Sequence, residues 1–213
     1  MRARGRIAGL YAIADTAVLA ITNLVPAVRA AIDGGAALVQ YRDKAARHAT
    51  ARREVEALRT LCRQRALPFI VNDDIELALT LDADGVHVGR DDAAIAAARA
   101  RLGPDAIIGV SCYDDLERAL GAERAGADYV AFGSFYPSPT KPHAVRPPIS
   151  LLTQARERLR IPIVAIGGIT PENGAHLIAA GADALAVIGG LFQTPDIAAQ
   201  ARQYAALYTS NDT

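Results

Sequence analysis

Gln40, Arg42 and Lys44 alternate at the end of an apolar run. In extended chain, alternating residues face one side. Two cations and an amide on one side make a clamp for phosphate oxygens, and a planar guanidinium can take two of them at once. The run Gln40, Tyr41, Arg42, Asp43, Lys44 is therefore read as a binding segment, with a solvated charge run as the plainer alternative. Asn72, Asp73 and Asp74 close the next apolar run, and His87-Val88-Gly89-Arg90 leads to Asp91 and Asp92 after the following one. Carboxylates at two neighbouring ends can share Mg2+, which keeps several waters and takes one or two carboxylates beside substrate phosphates. Helix capping competes for Asp74 and for one of Asp91 and Asp92. His87 sits inside a strand-like run, where a packed or supporting histidine is expected rather than a catalytic one.

Further along, Ser111 follows another apolar run, where its hydroxyl can meet a ligand or start a helix. Residues 132–143 read Phe-Gly-Ser-Phe-Tyr-Pro-Ser-Pro-Thr-Lys-Pro-His. Neither a helix nor a strand interior tolerates that composition. Ser138, Pro139, Thr140 and Lys141 place hydroxyls beside an ammonium, which suits a phosphorylated ligand; a proline-rich connection is the other reading, and Ser134 and His143 are taken as structural. Gly167-Gly168 and Gly189-Gly190 follow the last two apolar runs. Paired glycines at such ends expose backbone N–H groups to a phosphate. The inventory amounts to two anion sites, one glycine-lined and one cationic with carboxylates. A monophosphate and a metal-bound pyrophosphate would use both. No Cys–His or Ser–His–Asp set stands out, so covalent catalysis is not favoured.

The elements that must position these residues alternate. Strand-type runs cover 9–14, 38–41, 68–71, 85–88, 106–110, 128–132, 162–166 and 184–188. Helix-type stretches cover 23–33, 46–65, 75–81, 91–102, 114–125, 148–159, 171–180 and 195–208. Continuous apolar strands suit a parallel sheet covered by helices. Eight strand–helix units match a closed (β/α)8 TIM barrel, an α/β single domain over residues 1–213, with a flexible tail expected at 209–213. A doubly wound open sheet is the alternative. The barrel places its site in the loops after its strands, which is where the chemistry falls. The joints at 125–128 and 180–183 both read Ala-Gly-Ala-Asp and report a repeated turn.

Lys plus Arg equals Asp plus Glu at 23 each, so overall charge points to no nucleic acid and no membrane surface, and any anion site is a local cluster. Cys62 and Cys112 are far apart and in no metal-ligand spacing, so reduced thiols in a cytoplasmic protein are expected. No apolar run approaches a membrane span of about 20 residues, and no signal peptide is recognised.

Six motifs resemble thiamine phosphate synthase: Gln40-Tyr41-Arg42-x-Lys44, Val71-Asn72-Asp73, Asp84-Gly85-Val86-His87-Val88-Gly89-x-x-Asp92, Gly109-Val110-Ser111, Gly133-x-x-Tyr136-Pro137-Ser138-x-Thr140-Lys141, and Ile166-Gly167-Gly168-Ile169. They stand in order and coincide with strand ends, and the resemblance spans Leu10 to Gly190. The resemblance implies a transferase of thiamine biosynthesis on a (β/α)8 barrel. It implies the joining of 4-amino-2-methyl-5-(hydroxymethyl)pyrimidine diphosphate to a thiazole phosphate, with pyrophosphate release after a largely dissociative step. It further implies Asp73 and Asp92 as Mg2+ ligands, and Arg42, Lys44, Asn72 and Lys141 on the pyrophosphate, with Arg42, Lys44 and Lys141 catalytic. Gln40 and Ser111 would orient the pyrimidine, Ser138 and Thr140 would face the thiazole, and the backbone of Gly168, Ile188 and Gly189 would receive its phosphate. This chain departs from the family pattern at Ser134 (usually Pro), Ser138 (usually Thr), Gly189 (usually Ser) and Arg90 (often Gln). The competing readings are a thiazole tautomerase-like isomerase on the same barrel and a phosphate-ligand binder without turnover. The partners expected are small-molecule substrates, with a homo-oligomer left open.

Overall fold

Short strands that are apolar on both faces must be covered on both, and closing the sheet on itself under a ring of helices does this without leaving an edge. The computed structural model describes residues 7–45, 48–89, 92–138 and 145–209, with the side chains of 48–50, 92 and 93 outside that description. Its strands are β1 (Gly9–Asp15), β2 (Ala36–Arg42), β3 (Phe69–Asn72), β4 (Gly85–Val88), β5 (Ile107–Tyr113), β6 (Tyr129–Phe132), β7 (Ile163–Ile166) and β8 (Ala184–Val187). They form a closed barrel in sequence order, all parallel, and Gly9 of β1 pairs Ala184 of β8 to complete the ring. The expected (β/α)8 barrel is what the chain forms, and the open sheet is set aside.

The helices are α1 (Leu24–Asp33), α2 (His48–Gln64), α3 (Ile75–Thr80), α4 (Asp92–Leu102), α5 (Leu116–Arg124), α6 (Ser150–Arg158), α7 (Pro171–Ala179), α8 (Gly189–Phe192) and α9 (Ile197–Thr209). In α1 the buried residues Leu24, Ala27, Val28, Ala31 and Ile32 recur at helical spacing and make one apolar face. The strands sort by alternation: Leu10, Ala12 and Ala14 of β1 pack in the helix-facing core, whereas Tyr11 and Ile13 fill the barrel. No helix among the described residues is long and apolar enough to cross a membrane.

Several boundaries differ from those expected. Strand β2 begins at Ala36 and ends at Arg42, and β5 continues to Tyr113 rather than stopping near Val110, so Ser111 is a strand residue and not a helix start. Hydrogen bonding to neighbouring strands extends both beyond their apolar runs. The short α8 and a single 3-10 turn at Ile21–Asn23 carry no hydrophobic period long enough to announce them. The expected tail at 209–213 starts where α9 ends, and residues 210–213 lie outside the described ones.

The repeated Ala-Gly-Ala-Asp joint has a physical role. Asp128 accepts from the Ile108 N–H at 2.8 Å and from Arg99 at 2.7 Å. Asp183 accepts from the Ile163 N–H at 2.7 Å and pairs with Arg156. Asp84 does the same for the Phe69 N–H at 2.9 Å. Each carboxylate precedes one strand and satisfies an N–H within the first two residues of its neighbour, at the end of the barrel given to stability.

Candidate active site

Inward-facing side chains decide where the barrel is solid. Its lower part is filled by residues such as Tyr11, Leu38, Ile70, Ile107, Tyr129 and Val164. Toward the carboxyl ends of the strands the inward residues shrink to Ala131, Gly133, Gly167 and Ala186, and a cavity of about 560 Å³ opens. Gln40, Arg42, Asn72, His87, Ser111, Tyr113 and Ser138 supply its polar wall. A second hollow of about 220 Å³ lies beside it, lined by Gly167, Gly168, Thr170, Gly189, Gly190 and Gln193 among others. Ser138, Ile166, Gly167, Ala186 and Ile188 belong to both linings, so the two hollows share a wall.

The cationic side is built in pairs. Arg42 donates to the carboxylate of Asp15, a fully buried residue at the end of β1. Asp15 is also held by the Ala17 N–H at 2.9 Å. Its charge therefore fixes the guanidinium at the cavity wall. Lys44 does not continue the alternation of Gln40 and Arg42, because β2 ends at Arg42. Its ammonium instead reaches Asp73 on the β3 end. Asp73 has a left-handed backbone (φ +62°), a conformation aspartate tolerates better than most residues, and it also accepts from Asn72 Nδ2 at 2.9 Å. Both of these contacts fall on Oδ2.

Other members of the expected set are placed as follows. Asp43 accepts from the Thr16 hydroxyl at 2.7 Å and from the Ala45 N–H at 3.1 Å, which ties the loops after β1 and β2 together. Tyr41 packs in the helix-facing core, and its hydroxyl donates to Asp43 at 3.4 Å. Asp74 caps α3, accepting from the Leu77 N–H at 2.8 Å, which is the capping role that competes with metal binding. Gln40 and Ser111 both line the cavity and are hydrogen-bonded inward: Gln40 Nε2 donates to the Tyr11 hydroxyl at 2.7 Å, and Ser111 Oγ is 2.9 Å from His87 Nε2. His87 is buried and supporting, as its position in a strand suggests. Burial holds the Tyr11 phenol above its ordinary range, and burial followed by the Tyr11 neighbour does the same for Tyr129.

The glycine side is clasped by the loop after β6. Phe135 N–H donates to Ile166 O at 3.1 Å and Tyr136 N–H to Gly167 O at 3.0 Å. Ser134 donates to Tyr136 O at 3.0 Å within that loop and also lines the larger cavity. Gly168 has φ +61°, and a Cβ there would lie 2.3 Å from Pro137 O, so only glycine lets the loop approach this closely. Asn173 ties the start of α7 to the same turn, accepting from Thr170 N–H at 2.9 Å and donating to Gly168 O at 3.1 Å. Pro139, Thr140, Lys141 and His143 of that loop lie outside the described residues, as do Arg90, Asp91 and the Asp92 side chain.

Tyr11, Asp15, Tyr113 and Tyr129 were not singled out from the sequence. Asp15 could have been, since it follows the first strand and obeys the strand-end pattern. A tyrosine in an apolar strand carries no mark of which face it takes.

Comparison with known proteins agrees with this fold and identifies a family. A family model described as thiamine monophosphate synthase matches residues 10–191. The chain is similar to a thiamine-phosphate synthase of Nitrosococcus oceani, 54% identical over 198 residues, covering 93% of this chain and 91% of that protein. It is similar to the thiamine-phosphate synthase of Thioalkalivibrio sulfidiphilus, 52% identical over 203 residues, covering 95% and 96%. Among solved structures, the thiamine phosphate pyrophosphorylase from Pyrococcus furiosus superposes with a TM-score of 0.85 at 34% identity, covering 96% of this chain and 97% of that one.

Proposed function

The chain belongs to the thiamine monophosphate synthase family, and from that premise we propose that its barrel mouth joins 4-amino-2-methyl-5-(hydroxymethyl)pyrimidine diphosphate to a thiazole phosphate. The C–O bond to the diphosphate breaks, its electron pair leaves on pyrophosphate, and the thiazole nitrogen lone pair forms the new C–N bond of thiamine phosphate. The observation that carries this reading is the shared wall between the two hollows. A two-substrate reaction needs two compartments that touch, because holding both reactants in place removes much of the entropic cost of their meeting.

In this reading the larger hollow takes the pyrimidine diphosphate. Gln40 and Ser111 contact the ring, and Arg42, Lys44, Asn72 and Lys141 receive the pyrophosphate. Charge spread over that leaving group is what these donors stabilise, since the step needs neutralisation more than a base. The smaller hollow takes the thiazole phosphate, with Ser138 and Thr140 beside the ring and the backbone of Gly168, Ile188 and Gly189 at the phosphate. Asp43 and Tyr41 hold the segment after β2 in position, and Pro139 borders the substrate with Ser138 and Thr140 in this reading.

Asp73 is a hard oxygen donor at the rim with its two contacts on one oxygen, a donor type that fits Mg2+. Asp73 and Asp92 would hold the ion, which when bound neutralises charge on the departing pyrophosphate. The test is formation of thiamine phosphate from the two substrates, with Mg2+ and with a chelator. Product is expected only with the metal. Absence of product with Mg2+ overturns the synthase reading, and conversion of the thiazole alone would favour the tautomerase.

A further inference from the structure

We propose that His87, acting through Tyr129 and Tyr11, sets the hydrogen-bond direction at both ends of the pyrimidine pocket, so that Gln40 offers a carbonyl acceptor and Ser111 a hydroxyl donor. The inference rests on the larger hollow being the pyrimidine's.

Five side chains form one unbroken chain. Gln40 Nε2 donates to Tyr11 Oη at 2.7 Å, Tyr11 Oη lies 2.8 Å from Tyr129 Oη, Tyr129 Oη lies 2.9 Å from His87 Nδ1, and His87 Nε2 lies 2.9 Å from Ser111 Oγ. The rings are fixed by packing: His87 stacks on Tyr129 with centroids 5.5 Å apart, and Tyr11 meets Tyr129 edge-on at 6.1 Å. Both phenols are buried, Tyr129 fully and Tyr11 at the base of the cavity, so a misplaced proton has few alternative partners.

Proton count then assigns every bond. A phenol carries one proton, and leaving it unpaired in the interior costs the desolvation of the group. Tyr11 accepts from the Gln40 amide, so its own proton goes to Tyr129. Tyr129 accepts it and passes its proton to His87 Nδ1. That nitrogen is bare, the imidazole is neutral, and its proton sits on Nε2, donated to Ser111 Oγ. The serine's own proton is left for the cavity that its side chain lines. At the other end, Gln40 has spent its amide nitrogen inward, and its carbonyl oxygen is left for the ring.

The two ends are coupled. Turning the Gln40 amide over would reverse every bond and make Ser111 an acceptor. In the direction set by the Gln40 amide, the cavity lining offers an acceptor from Gln40 and a donor from Ser111. A 4-aminopyrimidine is the matching ligand, since it offers amino N–H groups and bare ring nitrogens. A pyrimidinone, with a carbonyl and a ring N–H, would present the wrong set.

The test reads the proton directly. Nitrogen NMR of histidine-labelled protein without substrates is expected to show His87 neutral, with its proton on Nε2 and a bare Nδ1. Tyr129→Phe and Tyr11→Phe keep the ring and remove only the relaying hydroxyl. Each is expected to raise KM for the pyrimidine diphosphate about tenfold, the loss of one buried hydrogen bond, with KM for the thiazole phosphate unmoved. His87→Gln, which keeps a donor toward Ser111, is expected to retain more of that affinity than His87→Leu. A charged His87, a proton on Nδ1, or Tyr-to-Phe variants with unchanged KM overturns the proposal. If the wild type forms no thiamine phosphate, the parent reading fails, and the NMR signal still decides the relay.

Discussion

A Cβ on Gly109 would lie 2.0 Å from Tyr129 Cζ, so the glycine of β5 and the phenol of β6 occupy one volume inside the barrel. The ring stands over the space where a side chain on β5 would be, and that position puts its hydroxyl between Tyr11 and His87.

Gly109→Ala therefore overpacks a closed interior. It is expected to lower stability by about 1–3 kcal/mol and to push the Tyr129 hydroxyl off His87. Thermal unfolding measures the first effect. A midpoint equal to that of the wild type would mean the ring moves aside without cost.

The Arg42–Asp15 pair is the next point of sensitivity. Asp15 is 0% exposed at its side chain and Arg42 16%. Removing one member of such a pair leaves a buried charge unmatched, at about 3–5 kcal/mol. Arg42→Leu should lose both stability in urea unfolding and affinity for the pyrimidine diphosphate. Arg42→Lys should recover part of the stability but less of the affinity, because an ammonium cannot take two oxygens in a plane.

Asp73 should behave in the opposite way. Its side chain is 45% exposed and that of its partner Lys44 59%, so their pairing contributes at most about 1 kcal/mol. Asp73→Asn is expected to leave the unfolding midpoint near the wild type. Metal-dependent turnover should fall on the order of a hundredfold, as when one preorganised electrostatic group is removed. Retained turnover across a Mg2+ titration would rule out its metal role.

The protein should weaken at alkaline pH. Burial pushes the Cys62 thiol from its ordinary 9.0 up to about 12, with nearby Asp84 adding to the rise and Arg59 opposing it. Burial also raises Tyr11, Tyr129, Tyr204 and Tyr208 above 10.0. All are acids whose folded pKa is raised. Between the ordinary and the folded values the unfolded chain binds fewer protons, so stability falls as pH rises. The contribution is complete below about pH 9 and is lost upward from there. Denaturant unfolding at a series of pH values checks this, and a flat profile between pH 9 and 11 would contradict it.

The fold was legible in sequence because its signals are local. Apolar runs, Ala-rich helical periods and the Ala-Gly-Ala-Asp joints at 125–128 and 180–183 are set within a few residues. The place of the candidate site was legible for the same reason, since the barrel brings its strand ends together and Arg42, Asn72, Ser111 and Gly168 all stand within two residues of strand ends. The pairing of Lys44 with Asp73 instead of with the face of Arg42 was not legible. It depends on β2 stopping at Arg42, which its neighbours in the sheet determine.

What the sequence determined by itself was the number and kind of elements and the chemistry carried at their ends. Tertiary structure alone decided which strand residues point into the barrel, and so that Tyr11, Tyr129 and His87 join Gln40 to Ser111. These five residues come from five strands, with up to 118 positions between bonded neighbours. Hydrogen bonds of that range arise only when the sheet closes and its register fixes which side chains share a layer.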